Sequence, residues 1–147
     1  MKIFNKRATF DYDIQNTFEA GINLLGPEVK AVRLGQVDLS GSHVRIVGNE
    51  AYLINAKIYP YRYAQIENYD EKRSRKLLLH KKEIVSLKSK LEGSNLTVIP
   101  LSLYTIRGLI KMELALAKGK KEYQKKESIK KRDIQRDVER ELEAKSE

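Results

Sequence analysis

The 147 residues contain no cysteine and no tryptophan, only three prolines and only two histidines. Without cysteine there is no disulfide framework and no thiolate-ligated zinc, a usage that fits a reducing compartment. His43 and His80 stand far apart, and the close acidic pairs Asp11/Asp13 and Asp70/Glu71 sit in turn-like context without an accompanying base or ligand set. A glycine-rich phosphate cradle is also missing. The chain therefore reads as a non-enzyme with no catalytic residue, metal or cofactor. No apolar run approaches the roughly 20 residues that cross a bilayer, and Met1-Lys2-Ile3-Phe4-Asn5-Lys6-Arg7 lacks a signal-peptide core. These absences place the chain in the cytoplasm, with no membrane partner.

Acid is scarce relative to base. Twenty-nine Lys plus Arg face 20 Asp plus Glu, a formal net charge of +9. The excess is blocked along the chain: residues 118–132 hold 8 basic and 2 acidic residues, whereas 133–147 hold 3 and 6. Blocked positive charge is expected of a surface that meets a polyanion, and phosphate is the commonest one.

One domain of ordinary length is expected over residues 1–117. Tyr12, Ile14, Asn16 and Phe18, then Ala20, Ile22 and Leu24, form a mostly apolar period-two set that reads as two short strands. Gly26-Pro27-Glu28 starts a short helix, with proline suited to the first turn and an acid at the positive dipole end, and Gly35 stops it. Val44 and Ile46, then Tyr52, Ile54, Ala56 and Ile58, alternate on either side of Gly48-Asn49, which predicts a hairpin. Residues 61–73 have no clean period and read as a long exposed loop. A strand at 75–79 leads into a helix from Lys81 or Lys82 to Leu91, whose apolar stripe is Ile84, Leu87 and Leu91. Leu96 to Tyr104 is a strand in which Pro100 implies an edge or a bulge. Over Leu109–Ala117, Met112, Glu113, Leu114 and Leu116 favour helix by propensity, yet the alternation favours strand. The alternation is preferred, because a hairpin through Arg107-Gly108 would bury one face. Short strands, few helices and no βαβ rhythm predict a mainly β fold, a small antiparallel barrel of the oligonucleotide-binding type with two or three short helices.

The segment from Lys118 differs in kind. Ile134, Val138 and Leu142 recur every four residues, too sparse a stripe to hold a helix alone, so residues 118–147 are expected to be disordered when free and to order on a partner.

Basic residues interleaved with aromatic ones suit irregular RNA, where cations follow the backbone and rings stack on unpaired bases. Lys57, Tyr59, Tyr61, Arg62 and Tyr63 fit that pattern, as do Tyr69, Lys72, Arg73, Arg75 and Lys76. In Arg75-Lys76-Leu77-Leu78-Leu79-His80-Lys81-Lys82 three leucines can anchor in a core and hold the flanking cations near the surface. Tyr123, set between Lys120-Lys121 and Lys125-Lys126, has no core to pack in and is a candidate for stacking. Glu19 is either an exposed carboxylate with no role or an acceptor for base or sugar hydrogen bonds.

Several separate motifs together resemble the SsrA-binding protein (small protein B) family over nearly the full length. They are Asn5-Lys6-Arg7-Ala8, Phe18-Glu19-Ala20-Gly21-Ile22, Glu28-Val29-Lys30 with Arg33 and Gly35, Ser42 to Ile46, Leu53-Ile54-Asn55-Ala56, Arg75 to His80, Pro100 to Tyr104, and Ala117-Lys118-Gly119-Lys120-Lys121. The resemblance implies an adaptor that grips the tRNA-like domain of transfer-messenger RNA. It implies delivery to stalled ribosomes for trans-translation, with the tail, helical there, in the decoding centre against small-subunit rRNA and in the empty mRNA channel. The implied RNA-facing residues are Asn5, Lys6, Arg7, Glu19, Arg75, Lys76, Leu78, His80 and Lys81. The implied ribosome-facing residues are Lys118, Lys120, Lys121, Tyr123, Lys125, Lys126, Lys130, Lys131 and Arg132. The chain would act as a monomer, with elongation factor Tu reached through the RNA. Two other classes stay open: a general RNA chaperone or ribosome-associated structural protein, for which charge alone suffices, and a small hydrolase built on His80 with Asp70 or Glu71.

Overall fold

The structure, a computed structural model, describes residues 2–64, 67–121 and 126. In chain order its elements are β1 (Lys2–Phe4), α1 (Ala8–Asp11), β2 (Tyr12–Ile22), α2 (Gly26–Arg33), β3 (Val37–Asp38), β4 (His43–Val47) and β5 (Glu50–Ile54). They continue with β6 (Lys57–Ile58), β7 (Arg75–Leu78), α3 (Lys81–Leu91), β8 (Leu96–Ile106) and β9 (Leu109–Gly119). All pairings are antiparallel. Strands run in the order β8-β4-β5-β7-β2-β9, and β9 pairs back onto β8, which closes a six-stranded ring; β1 adds to the outside edge of β8, and β3 pairs with β6 separately. Closure removes most free strand edges, which suits a small barrel.

The predicted hairpins form. β4 pairs β5 with Val47 opposite Glu50 across Gly48-Asn49. β8 pairs β9 with Ile106 opposite Leu109, and Arg107 and Gly108 both take positive φ, at 50° and 78°. A two-residue turn with both positions at positive φ matches the twist of the strands it joins. Pro100 is accommodated at a register shift between Pro100 and Ser102, the bulge alternative of the two expected.

Residues 12–24 are not two short strands. Tyr12–Ile22 is one 11-residue strand whose register slips between Ile14 and Asn16. The slip lets one strand serve two apolar clusters: Phe18, Ala20 and Ile22 join the barrel core, whereas Tyr12 and Ile14 pack on Ala8, Ile99, Ala115 and Ala117 outside it. The same two-sided burial resolves β9. Leu114 and Leu116 face the barrel while Ala115 and Ala117 meet the α1 side, so all four are buried. β9 also continues to Gly119, two residues past the expected domain boundary, and the Lys120 N–H donates to the Asp11 carbonyl at 2.9 Å.

α2 plugs the barrel through Ala31 and Val32, both fully buried. It also carries Glu28 into the interior, where the expectation for Arg75 fails. Arg75 is not near the surface: its side chain is 0% exposed and its guanidinium binds Glu28 Oε2 at 2.9 and 2.6 Å, the Ala56 carbonyl at 2.7 Å and the Glu71 carbonyl at 2.9 Å. Arg73 also binds the Glu28 carboxylate, the Tyr69 hydroxyl donates to it at 2.9 Å, and the Leu25 N–H donates to it at 2.9 Å. Tyr69 is thereby a structural pin for the 59–74 loop rather than a free ring. Burial alone would push the Glu28 carboxyl up; donation from Arg73, the Leu25 N–H and Arg75 overcomes it and holds the group down at about 2. A buried carboxylate tolerates the interior only when its lone pairs are filled in this way.

Candidate nucleic-acid interface

Directly opposed residues of neighbouring strands project from the same face of a sheet. Lys2 opposes Tyr104, Tyr104 opposes Lys111, Lys111 opposes Gly21, and Gly21 opposes Leu78, so one row crosses β1, β8, β9, β2 and β7. Alternate residues Leu103, Met112, Ala20, Ile22 and Leu77 are buried, which puts this row on the outside of the barrel. Leu78 is 56% exposed, and a Cβ on Gly21 would lie 3.1 Å from the Leu78 Cβ. The missing side chain at position 21 is thus what lets Leu78 lie across β2. Residues 21–24, Val29, Leu78 and 108–111 line an open groove beside it.

Glu19 precedes Gly21 by two positions on the same face. Its Oε2 accepts from the Tyr104 hydroxyl and its Oε1 from Lys111 Nζ at 3.0 Å. The Tyr104 hydrogen bond, then that from Lys111, holds the Glu19 carboxyl below its ordinary range. Burial and the bond to Glu19 push the Tyr104 hydroxyl up to about 12, so it remains a donor. Lys2 Nζ sits 5.9 Å from the centroid of Tyr104 and 5.1 Å from that of Phe4. Glu113 directly opposes Glu19, half-buried, with the Ser102 hydroxyl 3.5 Å away.

Of the expected RNA-facing residues, Leu78 lies in this row and Glu19 lies beside it on the same face. His80 follows Leu78 as the exposed N-cap of α3, where its N–H donates to the Glu83 carboxylate at 3.1 Å, and exposed Lys81 opens the helix. Lys76 is exposed and paired with Glu50 at 3.2 Å. Lys6 and Arg7 are exposed at a different end, Arg7 lying 3.4 Å from Asp11. Lys120 joins that end, its Nζ donating to the Thr9 carbonyl at 2.8 Å, with exposed Lys118 and Lys121 beside it in the chain. Asn5 faces inward and its amide donates to the Pro100 carbonyl at 2.9 Å, fastening β1 at the bulge. Arg75 belongs to the buried network and not to this surface. Lys126 is exposed; Tyr123, Lys125, Lys130, Lys131 and Arg132 lie outside the described residues. Sequence reasoning did not single out Tyr104, Lys111 or Lys2 for this face. The alternation along β9 points Lys111 outward, but only the register across three strands sets it against Glu19.

The family model described as SmpB protein matches residues 2–144. The chain belongs to the SmpB family. Two similar relatives are the SsrA-binding protein of Chlorobaculum tepidum, 50% identical over 137 residues that cover 92% of this chain and 87% of that protein, and the SsrA-binding protein of Fusobacterium nucleatum, 42% identical over 138 residues that cover 94% and 93%. A solved structure of "tmRNA-SmpB: a journey to the center of the bacterial ribosome" superposes with a TM-score of 0.69 at 48% identity, covering 82% of this chain and 85% of that one. The SmpB barrel is therefore the architecture on which this outer row is built.

The aromatic run of this SmpB chain is separate from the row. Lys57 lies over Tyr59 at 4.7 Å, Lys30 over Tyr61 at 5.3 Å and Arg62 by Tyr63 at 5.7 Å, with Tyr61 and Tyr63 edge to face at 5.5 Å. Tyr63 is 74% exposed, so it remains available as a stacking surface, unlike Tyr69.

Proposed function

We propose that this chain binds the tRNA-like domain of transfer-messenger RNA (SsrA) and delivers it to stalled ribosomes for trans-translation, as a non-catalytic adaptor working in the cytoplasm. The observation that carries this reading is the outer row, where a polar group of Glu19, Tyr104 and Lys111 stands beside the exposed Leu78 on a rigid closed barrel. Hydrogen-bonding groups and an apolar platform recognise nucleotide edges and faces, whereas unpartnered lysines would read phosphate alone. Lys111 also offsets the charge of Glu19, so the carboxylate need not repel the RNA backbone. Membership of the SmpB family and the names of the SsrA-binding relatives support the choice of RNA. His80 and Lys81 flank the row and would contact the RNA backbone, while Lys6 and Arg7 add positive charge at a different end of the barrel. The segment from Lys118 onward, including Tyr123, Lys125, Lys126, Lys130, Lys131 and Arg132, would serve the ribosome. No helix among the described residues is long and apolar enough to cross a membrane.

The test is binding of the full chain to transfer-messenger RNA and to an ordinary tRNA over a salt series. Phosphate contacts weaken steeply with salt, so a preference that persists near physiological salt reports shape and edge recognition. Loss of all preference would favour a general RNA chaperone. Removal of residues 122–147 should leave the preference intact while ending rescue of stalled ribosomes.

A further inference from the structure

Two tyrosines of the loop between β6 and β7 stand in opposite states. Tyr69 is pinned, its hydroxyl bonded to Glu28 at 2.9 Å and to the Ile58 carbonyl at 3.0 Å. Tyr63 is 74% exposed, and its hydroxyl, like that of Tyr61, has no partner among the described residues. A ring left in water contributes little to a core, yet this one is held in place. The Ala64 N–H donates to the Tyr61 carbonyl at 3.0 Å and closes a turn around Arg62 and Tyr63. The Tyr59 N–H donates to the Gln36 carbonyl at 3.0 Å, and Pro60 restricts the backbone that leads into the turn. Tyr61 then buttresses Tyr63 edge to face at 5.5 Å. Charge around the turn is of one sign. Lys30 lies over Tyr61 at 5.3 Å and Arg62 by Tyr63 at 5.7 Å, both exposed and without a carboxylate partner among the described residues. The carboxylates of this corner are already engaged: Glu28 inside by Arg73 and Arg75, Glu71 by Lys57 at 3.4 Å, and Asp70 by the Lys72 N–H at 3.0 Å.

A bare flat ring beside two unneutralised cations matches a ligand with a flat face and anionic links, which is a nucleotide strand. We infer that the 61–64 turn is a second RNA site, separate from the outer row, where one unpaired base stacks on Tyr63 and its flanking phosphates lie against Arg62 and Lys30. The site reads single-strandedness and not sequence, because every base has a π-face and a stacked base in a duplex has its faces covered. Tyr61 is the positioning residue that fixes the ring. A turn already ordered loses little freedom when a base settles on it. The inference does not depend on which RNA the outer row selects: a loop of that same RNA and a separate strand offer the same chemistry.

The experiment measures binding of the full chain to a uridine hexamer carrying one 2-aminopurine, whose fluorescence is quenched when the base stacks. Tyr63→Ala should weaken binding about fivefold or more, the low end for one base on an aromatic ring, with reduced quenching and an unchanged salt slope. Tyr63→Phe should keep both affinity and quenching, because stacking needs the ring and not the hydroxyl. Arg62→Ala should instead flatten the salt dependence by about 0.7 in log–log slope, the single-strand value for one phosphate. Glu19→Ala, on the outer face, should leave the hexamer signal unchanged. An equal loss of affinity for transfer-messenger RNA in Tyr63→Ala assigns the base to that RNA, and a loss confined to the hexamer assigns it to a separate strand; both support the site. No hexamer binding by the wild-type chain, unchanged affinity or undiminished quenching in Tyr63→Ala, or a Tyr63→Phe chain as weak as Tyr63→Ala overturns the inference. So does tighter binding of a hexaglutamate peptide than of the hexamer with the same dependence on Tyr63, which would make the turn a protein contact.

Discussion

Glu19 and Glu28 carry the same side chain in opposite circumstances. Both are held ionised by hydrogen bonds, but the Glu28 side chain is 1% exposed and ringed by Arg73, Arg75, Tyr69 and the Leu25 N–H, while that of Glu19 is 47% exposed and has two donors on one side only. A carboxylate with every lone pair used is a structural part. One with two left over can still accept further donors. The number of unfilled acceptors, more than the depressed titration, separates the two roles.

The largest way to break this contrast is Glu28→Ala, which leaves Arg75 charged, fully buried and unpaired. It should cost about 3–5 kcal/mol in denaturant unfolding. A loss below about 1 kcal/mol would mean that the loop relaxes to let water in. Next is the leucine pair on β7. Leu77→Ala should cost about 2–5 kcal/mol because Leu77 is 2% exposed, whereas Leu78→Ala should stay within about 0.5 kcal/mol in stability and weaken RNA binding instead.

Acid sharpens the comparison next. The Glu28 carboxyl titrates at about 2 in the fold against an ordinary 4.5, so between these values the unfolded chain binds the proton and the folded one does not. Stability from this group is present above about 4.5 and is lost as pH falls toward 2, about 3 kcal/mol in all. Glu28→Gln should be less stable at neutral pH and should lack this acid-dependent loss. The smallest expected effect on stability is that of Glu19→Ala, within about 0.5 kcal/mol, while affinity for the tRNA-like domain falls. A collapse of folding in that variant would make Glu19 a structural residue like Glu28.

The contrast also marks what could be read from sequence. Period-two alternation carried the β8–β9 hairpin, where Met112, Leu114 and Leu116 face the core, whereas in β4–β5 the turn was legible but the inward residues of β5 are Ala51 and Leu53 in place of Tyr52 and Ile54. Arg75 was misplaced for a physical reason: charge ordinarily means surface, and its neutralising partner Glu28 lies 47 positions away with nothing local to announce it. Tyr69 failed alike, through the same partner. β2 read as two strands because a bulge changes which cluster its residues serve without ending the strand. The candidate site was half legible, with Glu19 and Leu78 visible through family motifs. Tyr104 and Lys111 join them by cross-strand register, a property of the closed ring that no single segment encodes.

The edge strand β1 bears on how this protein should be handled. Lys2 stands over Tyr104 at the start of the row that ends in Leu78, so a fusion partner or affinity tag joined upstream of Lys2 would begin at the edge of the face proposed to bind RNA. On that proposal a purification handle placed there would compete with RNA for the face, and a cleavable one would give two apparent affinities from one sequence.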